Sequence, residues 1–441
     1  MRIAVWDMAR DMADKTPPTR HRGIDFLRAA SILVVVLGHW MMAAPWVDAQ
    51  GSHIEHMLGE REWTQWLTWG LQVMPVFFFV GGYSNAISWA AACRRNQPWQ
   101  LWLFSRLSRL LKPVLPLLLF WICAGAIALW ANVPTPMIEV GSQIALVPTW
   151  FLAVYAMMIL WVPLASTAWK RFGMASIWAP VATAAVVDLA YFQFDLHAVG
   201  WLNYLFVWGA IHQLGFAWQA ERCGSKGTAA LFCFGGLAIL AALTELGPWP
   251  RSLVGVPGDE VSNTTPPHLP ILALAAFQFG AARLFEKPLR NWLRGQTAWA
   301  ATVLVNSMIM TTFLWHSTVM ILLFGASIQL GGIGLHAVPG SAEWWVLKVA
   351  WIAVLAVLLV PVVALTSRWE RQPVVRAPTL GTRQILGTLI IGFGLAQLAR
   401  NGIVDTSTDE LRVVTLTLPF LGAAVAGLIG PTFAPTADAK T

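Results

Sequence analysis

The sequence carries little charge and little cysteine for its length. Of its 441 residues only 12% are charged, and 57% are hydrophobic, whereas a soluble domain carries about 25% charged residues. This composition excludes a large soluble enzyme, and it excludes an intrinsically disordered chain. The few cysteines show no metal-ligand spacing with histidine and are too scattered for a disulfide framework: Cys93, Cys123, Cys223 and Cys233.

Long apolar segments take the place of the missing charge. A membrane-spanning helix needs about 20 mostly apolar residues, and this rule predicts an all-α fold, a polytopic transmembrane helical bundle of about 12 spans. The predicted spans lie near residues 24–46, 66–92, 110–131, 150–169, 174–193, 201–219, 228–246, 268–285, 300–324, 344–367, 384–403 and 413–433.

The basic residues predict how these spans are oriented. Of 29 Lys and Arg residues, 23 fall in the two terminal tails and in the loops at 94–112, 170–171, 222–226, 283–294 and 368–383. If the spans alternate, all of these positions lie on one side of the membrane, and the positive-inside rule places that side in the cytoplasm. Both termini are therefore predicted to be cytoplasmic. The net charge of +7 then needs no nucleic-acid partner.

Several polar side chains lie inside predicted spans, where they are costly and therefore point to function. Arg28 and His39 stand eleven residues apart in the first span. That is about three helical turns, so both side chains share one face, about 16 Å apart along the axis. Asp25 falls near the same face. His316 and Asp188 are predicted at a depth similar to that of His39, so that the carboxylate would orient one of the imidazoles.

Two further patterns lie in or beside the second and third spans. Arg106 and Arg109 are one helical turn apart, and such a pair suits a polyphosphate. Topogenic charge that meets anionic lipid is the structural alternative. The aromatic stretch from Phe77 to Tyr83 contains adjacent glycines at 81 and 82, which permit close approach of a backbone or a ligand.

Together these motifs resemble the acyltransferase-3 family of membrane proteins, which O-acylate cell-surface glycans, lipids and antibiotics. The resemblance covers about residues 20–370. It rests on Arg-x10-His at Arg28 and His39, Arg-x-x-Arg at Arg106 and Arg109, the aromatic stretch Phe77 to Tyr83, and a late Leu-x-His at Leu314 and His316. This chain has Gly81 where family members usually have serine.

The resemblance implies an integral membrane O-acyltransferase. It would move an acyl group, expected to be acetyl, from cytosolic acyl-CoA to a hydroxyl of a cell-envelope glycan or glycolipid, without a metal. By resemblance His39 acts either as general base or as transient acyl carrier. The catalytic candidates are His39, His316 and Asp188, and the candidates for binding acyl-CoA are Arg28, Arg106, Arg109 and Tyr83.

The family also implies a division of the chain. Residues 1–22 are predicted to be a cytoplasmic tail, residues 23–370 a ten-helix acyltransferase membrane domain, and residues 371–441 an appended transmembrane hairpin with a short cytoplasmic tail. The expected location is the bacterial inner membrane. A proton-coupled secondary transporter or lipid flippase is the alternative, because twelve spans with buried His, Asp and Arg also fit a carrier. The sequence shows no two-half repeat that would favour it.

Overall fold

Helices make up most of the structure, a computed structural model that describes residues 2–17, 20–370 and 381–429. The α-helices are α1 (Arg2–Asp14), α2 (Arg22–Met42), α3 (Met57–Glu60), α4 (Thr68–Leu71), α5 (Met74–Arg94), α6 (Trp99–Leu111), α7 (Val114–Trp130), α8 (Thr135–Leu146), α9 (Pro148–Phe172), α10 (Ala175–Gln193), α11 (Asn203–Gln219), α12 (Lys226–Ala230), α13 (Gly236–Leu246), α14 (Leu269–Leu284), α15 (Glu286–Trp292), α16 (Gln296–Ser307), α17 (Ile309–Gln329), α18 (Ala342–Glu370), α19 (Gly381–Asn401) and α20 (Val413–Val425). Short 3-10 helices cover Glu62–Leu67 and His197–Leu202, and a π-helical turn covers Leu231–Gly235. Two antiparallel ribbons pair β1 (Ala43–Asp48) with β2 (Gly51–His56) and β3 (Val404–Asp405) with β4 (Glu410–Leu411).

The polytopic helical bundle is confirmed. Within the described ranges, 8 helical segments are long and apolar enough to cross a membrane. The total is 9 if α14 and α15, which meet at a bend of 54°, form one span. A helix also occupies each of the other predicted spans, but α11 and α20 are short, with 17 and 13 residues, and α19 is less apolar. The total of twelve spans and the cytoplasmic termini therefore stay predictions.

The first predicted span ends earlier than expected. Helix α2 begins at Arg22, where the ring of His21 accepts a hydrogen bond from the backbone N–H of Ile24. It ends at Met42, and the chain turns directly into the β1–β2 hairpin. The hairpin turn is closed by Asp48, whose carboxylate accepts backbone N–H bonds from Gln50 and Gly51 at 2.8 and 3.1 Å. This local side-chain bond favours a turn over continued helix.

The predicted N-terminal tail contains a helix. One side of α1 packs on α16, where Trp6 and Ala13 contact Trp299 and Ala300. Only part of each turn of α1 is apolar, so its length and hydropathy do not predict a span. Packing on α16 holds this side of α1 in place.

The ninth predicted span is broken into two helices. Helix α16 ends at Ser307 and α17 begins at Ile309, with Met308 at φ −130° and ψ 18° between them. His316 therefore lies in the second turn of α17. The predicted depth of His316 counts residues along one continuous helix, and such a count does not hold across this break.

Contacts divide the chain into two compact units. The first comprises residues 1–90 and 161–364, and the second comprises residues 91–160 and 365–441. In the second unit, α19 and α20 cross at Gly387 and Gly422, where an added Cβ would lie 2.5–2.6 Å from the partner's backbone. Thr149 of α9 donates to the carbonyl oxygen of Leu395 at 3.0 Å. The predicted C-terminal hairpin, formed by α19 and α20, thus packs within the second unit. The predicted tail beyond residue 429 and residues 371–380 lie outside the described ranges.

The first unit contains a close crossing of α5 and α11. A Cβ at Gly82 would lie 1.9 Å from the carbonyl oxygen of His212, and one at Gly215 would lie 2.1 Å from that of Phe79. Only glycine permits backbones to approach so closely. Of the two uses predicted for this glycine motif, Gly82 therefore serves the approach of a backbone.

Candidate active site

Two histidines from distant parts of the sequence meet between α2 and α17. The Nδ1 atom of His39 lies 2.8 Å from the Nε2 atom of His316. The rings are stacked, with centroids 5.0 Å apart and planes inclined by 26°. His316 is fully buried, and His39 is partly exposed. The two imidazoles predicted to lie at similar depth are therefore in direct contact.

The surrounding hydrogen bonds fix which nitrogen carries each proton. The Nδ1 atom of His316 lies 2.6 Å from the carbonyl oxygen of Phe313, which can only accept, so this nitrogen donates. If Nε2 of His316 also carried a proton, the fully buried ring would be a cation beside another imidazole and no carboxylate, which is costly. Nε2 of His316 therefore accepts a hydrogen bond, and Nδ1 of His39 donates it.

This assignment leaves Nε2 of His39 with a free lone pair. Among the described residues His39 has no other hydrogen-bond partner. The backbone of His316 is held in turn, because the indole N–H of Trp40 donates to its carbonyl oxygen at 3.1 Å. The hydroxyl of Ser317 lies 3.1 Å from Nε2 of His316. A ring held at Nδ1 with Nε2 open has the geometry of a general base or a nucleophile.

Asp188 does not contact either of these histidines. Its carboxylate accepts hydrogen bonds from Asn203, His268 and the backbone N–H of Leu269. The predicted orientation of His39 or His316 by Asp188 is therefore wrong in geometry. Equal depth along two helices does not imply contact, because it leaves the rotation of each helix and its choice of neighbour open.

Arg28 lies three turns before His39 on the uninterrupted helix α2, as predicted. Its Nη2 atom donates to Asp25 at 3.0 Å, and its Nε atom donates to the side-chain oxygen of Asn306 at 2.7 Å. Asp25 also accepts two bonds from Arg20, at 2.5 and 3.1 Å. Two arginines thus share one buried carboxylate, which concentrates positive charge at the start of α2.

The other predicted donor-binding residues lie in two places. The ring of Tyr83 packs edge-on against His21 and Trp218, with centroids 5.4 and 6.2 Å apart. His21 itself hydrogen-bonds Glu286 at 2.9 Å, close to the start of α2. Arg106 and Arg109 lie in α6, in the second unit, where Arg106 is half-buried and Arg109 is exposed. The structure thus joins His39 with His316 and places Arg28 on the same helix.

A comparison with known families decides the identity of the domain. The model of the acyltransferase-3 family, described as an acyltransferase domain, matches residues 21–369. The chain belongs to this family. A search of curated proteins and a search of solved structures each found no match.

Family membership confirms the resemblance drawn from the four motifs. It supports a multi-pass membrane acyltransferase, which uses an acyl donor. Among the described residues of this acyltransferase-3 chain, no group of three or more His, Cys, Asp or Glu side chains is placed to hold a metal ion.

Sequence reasoning missed several polar residues around the site. Asn306 bridges Arg28 and the backbone oxygen of Asp25. Lys348 is buried; its ammonium donates to the carbonyl oxygen of Ala43, just after α2, and lies 4.9 Å from the ring of Trp344. Both are polar residues inside predicted spans, so the rule that singled out Arg28 would have found them too.

The β1–β2 hairpin brings a further imidazole close to the pair. His56, the last residue of β2, interacts electrostatically with His39. His56 lies outside the spans, and burial lowers its pKa from the usual 6.5 to about 4. This end of the first unit, which carries residues 43–56, is called the hairpin end below.

Proposed function

We propose that the chain is an integral membrane O-acyltransferase that moves an acyl group, expected to be acetyl, from acyl-CoA to a hydroxyl of a cell-envelope glycan or glycolipid. The observation that supports this most directly is the hydrogen-bond chain from Phe313 through His316 to His39. It orients one imidazole and leaves a basic nitrogen open in an apolar bundle. The expected location is the inner membrane of a bacterium.

In the first form of the reaction, His39 is a general base. Its Nε2 atom takes the proton of the acceptor hydroxyl while the hydroxyl oxygen attacks the thioester carbonyl carbon. The tetrahedral intermediate then collapses, the C–S bond breaks, and the CoA thiolate leaves with the proton from Nε2. The Nδ1–H bond to His316 holds the ring in one tautomer throughout.

In the second form, His39 carries the acyl group. Its Nε2 atom attacks the thioester carbonyl and expels the CoA thiolate, which gives an acyl-imidazolium that keeps its Nδ1–H. The acceptor hydroxyl then attacks this acyl group, loses its proton to the thiolate or to solvent, and regenerates the imidazole. Mass spectrometry of the protein after acetyl-CoA alone separates the two forms, because only this one labels His39.

The donor would enter from the end of the bundle at which α2 begins. Arg28 lies there beside Arg20, and the pair offers positive charge for phosphate groups. Arg106 and Arg109 form the second candidate phosphate contact, and Tyr83 offers a ring near His21. His39 is about 16 Å further along α2 than Arg28. An extended pantetheine arm is long enough to bridge that distance.

The test uses the full chain in sealed vesicles with defined orientation. Radiolabelled acetyl-CoA is added to one face only, together with cell-envelope extract, and the labelled product is identified. We expect transfer only when the donor is on the side of the basic loops, and product on the opposite side. No labelled product from either face would contradict the proposed function. Product on the donor side alone would contradict transmembrane delivery.

The donor contact has a separate test. Because each charge-assisted phosphate bond contributes about 1.5–3 kcal/mol, Arg106→Ala with Arg109→Ala should raise the donor KM about ten-fold or more. The matched control replaces Arg94 and Arg95, which are exposed basic residues on the same predicted side. Equal KM values for both pairs would show that Arg106 and Arg109 serve topology only.

A further inference from the structure

A second buried histidine lies at the hairpin end of the first unit, where α10 ends and α14 begins. The Oδ1 atom of Asp188 accepts from Nδ1 of His268 at 2.8 Å and from Nδ2 of Asn203 at 2.7 Å. Its Oδ2 atom accepts the backbone N–H of Leu269 at 2.9 Å. Asp188, Asn203 and His268 are at most 2% exposed. Both oxygens of the carboxylate thus accept hydrogen bonds, and these bonds fix the orientation of the side chains of Asn203 and His268.

Two polar atoms on the partners of this carboxylate have no hydrogen-bond partner, Nε2 of His268 and Oδ1 of Asn203. A third such atom, Nε1 of Trp249, belongs to a ring that packs on Phe192, which in turn packs on His268. Leaving a buried polar atom unpaired costs about 1–3 kcal/mol, so native proteins keep few of them. A group of three suggests a place where a polar ligand supplies the partners.

Aromatic rings surround the same atoms. The ring of His268 lies 4.9 Å from that of Tyr191 and 5.2 Å from that of Phe192. Phe192 in turn lies 5.5 Å from the ring of Trp249. Ligand sites commonly combine such rings with a few polar atoms of fixed direction. Flat aromatic faces suit the C–H faces of a sugar ring, and the unpaired atoms suit its hydroxyls.

The loop at 247–267 contributes Trp249 to this group and is held by hydrogen bonds within the loop and to residues 68 and 69. Asn263 donates to the carbonyl oxygens of Pro250 and Ser252 at 2.7 and 2.8 Å. The indole N–H of Trp69 donates to the carbonyl oxygen of Arg251 at 3.0 Å, and the N–H of Leu253 donates to the hydroxyl of Thr68 at 3.0 Å. The last two of these bonds hold the loop against Thr68 and Trp69.

We propose that Asn203, Trp249 and His268 form a binding site for a saccharide, anchored by Asp188 and closed by the loop at 247–267. A hydroxyl group both donates and accepts a hydrogen bond. One hydroxyl of the sugar can therefore donate to Oδ1 of Asn203 and another to Nε2 of His268, and either oxygen can accept from Nε1 of Trp249. This proposal depends on the proposed function in one respect, the identification of the bound saccharide as the acyl acceptor. The site lies at the hairpin end, where His39 also lies, so an acceptor bound there approaches from the side opposite Arg28.

Binding is measured without chemistry, by saturation-transfer NMR on the full chain in nanodiscs with methyl α-D-glucopyranoside as the probe. Glycerol, which has hydroxyls but no ring, is the comparison compound. We expect saturation transfer to the ring protons of the glucoside and little to glycerol. Trp249→Phe keeps an aromatic ring at this position and removes one hydrogen-bond donor, so it should weaken glucoside binding about five-fold. His268→Ala should weaken it further.

The matched control is Trp63→Phe, an exposed tryptophan at the same end, which should bind the glucoside as the wild type does. Trp249→Phe keeps the test decisive if His268→Ala fails to fold. Absence of transfer in the wild type, or equal transfer in wild type and Trp249→Phe, would overturn the proposal and leave water as the occupant. Glucoside binding without any acyl transfer would contradict the proposed function and leave the saccharide site standing.

Discussion

His39 and His268 are both held at Nδ1, but by different groups. The partner of His39 is the uncharged ring of His316, whose Nδ1–H donates a hydrogen bond to the backbone carbonyl of Phe313. The partner of His268 is the carboxylate of Asp188, which also receives an amide and the first N–H of α14. The hydrogen bond to His316 sets the tautomer of His39 and brings no charged group beside it. The hydrogen bond to Asp188 brings a carboxylate beside His268, and the same carboxylate binds the first N–H of α14.

The two kinds of partner suit two different roles, proton transfer and ligand binding. A group that takes up and returns a proton benefits from a neutral partner, because such a partner forms no ion pair that would hold the proton on the ring. A group that holds a ligand benefits from a rigid anchor, and Asp188 ties α10, α11 and α14 together at that point. His39 is partly exposed, whereas His268 is fully buried. These environments support the proposals of chemistry at His39 and of saccharide binding at His268.

The largest expected effect separates the two histidines by reaction rate. His39→Ala should lower kcat for acyl transfer by about 10²–10⁴-fold, because the open Nε2 atom is lost. The measurement is initial rate at saturating acetyl-CoA and acceptor, with thermal unfolding to check the fold. The matched control is His53→Ala, a histidine of the β1–β2 hairpin, which should keep wild-type kcat. Full activity in His39→Ala would remove the distinction between the two sites.

A smaller loss is expected when the partner of His39 changes. His316→Ala should lower kcat about 10- to 100-fold with little change in donor KM, because the ring of His39 loses its orientation. His316→Gln offers a side-chain oxygen to the Nδ1–H of His39 and should recover part of that loss. If the glutamine variant is no more active than the alanine variant, while both remain folded, hydrogen bonding to His39 is not what His316 provides.

Loss of the carboxylate at Asp188 should lower the free energy of unfolding. In Asp188→Asn one carboxylate oxygen becomes an N–H₂ group that faces a donor, either His268 or the N–H of Leu269. Losing one charge-assisted bond should lower the free energy of unfolding by about 2 kcal/mol, measured by thermal unfolding in nanodiscs. Asp195→Asn, at an exposed position near the end of α10, is the control and should leave stability unchanged. Equal stability of both variants would show that the carboxylate of Asp188 does not stabilise the fold.

The smallest expected effect concerns pH at His56, the imidazole beside His39. Burial lowers the pKa of His56 to about 4 in the folded chain, against about 6.5 when unfolded. Between these values the unfolded chain binds a proton that the folded chain does not, so stability falls as the pH is lowered from 6.5 towards 4. The loss should reach about 1 kcal/mol at pH 5.5.

The measurement compares thermal unfolding at pH 7.5 and 5.5 for the wild type and His56→Leu. The variant should lose less stability than the wild type over this range. His197→Leu, which changes an exposed histidine outside the hairpin, should retain the wild-type pH dependence. A pH dependence that is the same in His56→Leu and the wild type would show that another group is responsible.

The helical segments followed well from composition, because runs of about 20 apolar residues need a helix to satisfy their backbone in lipid. A helix is present at every predicted span. The features that were missed depend on single side chains or on neighbours: the carboxylate of Asp48 that closes the turn between β1 and β2, the break at Met308, and the docking of α1 on α16. None of these changes the mean hydropathy of a segment.

The same division holds for the candidate site. The sequence alone placed Arg28 and His39 on one face of one helix, since a helix repeats every 3.6 residues and rises 1.5 Å per residue. Only the tertiary structure decided that His39 meets His316, which is 277 residues away. It also decided that Asp188 meets His268 rather than either of them. Contacts between helices depend on how each helix rotates and which neighbour it packs against, and hydropathy and spacing along one chain leave both undetermined.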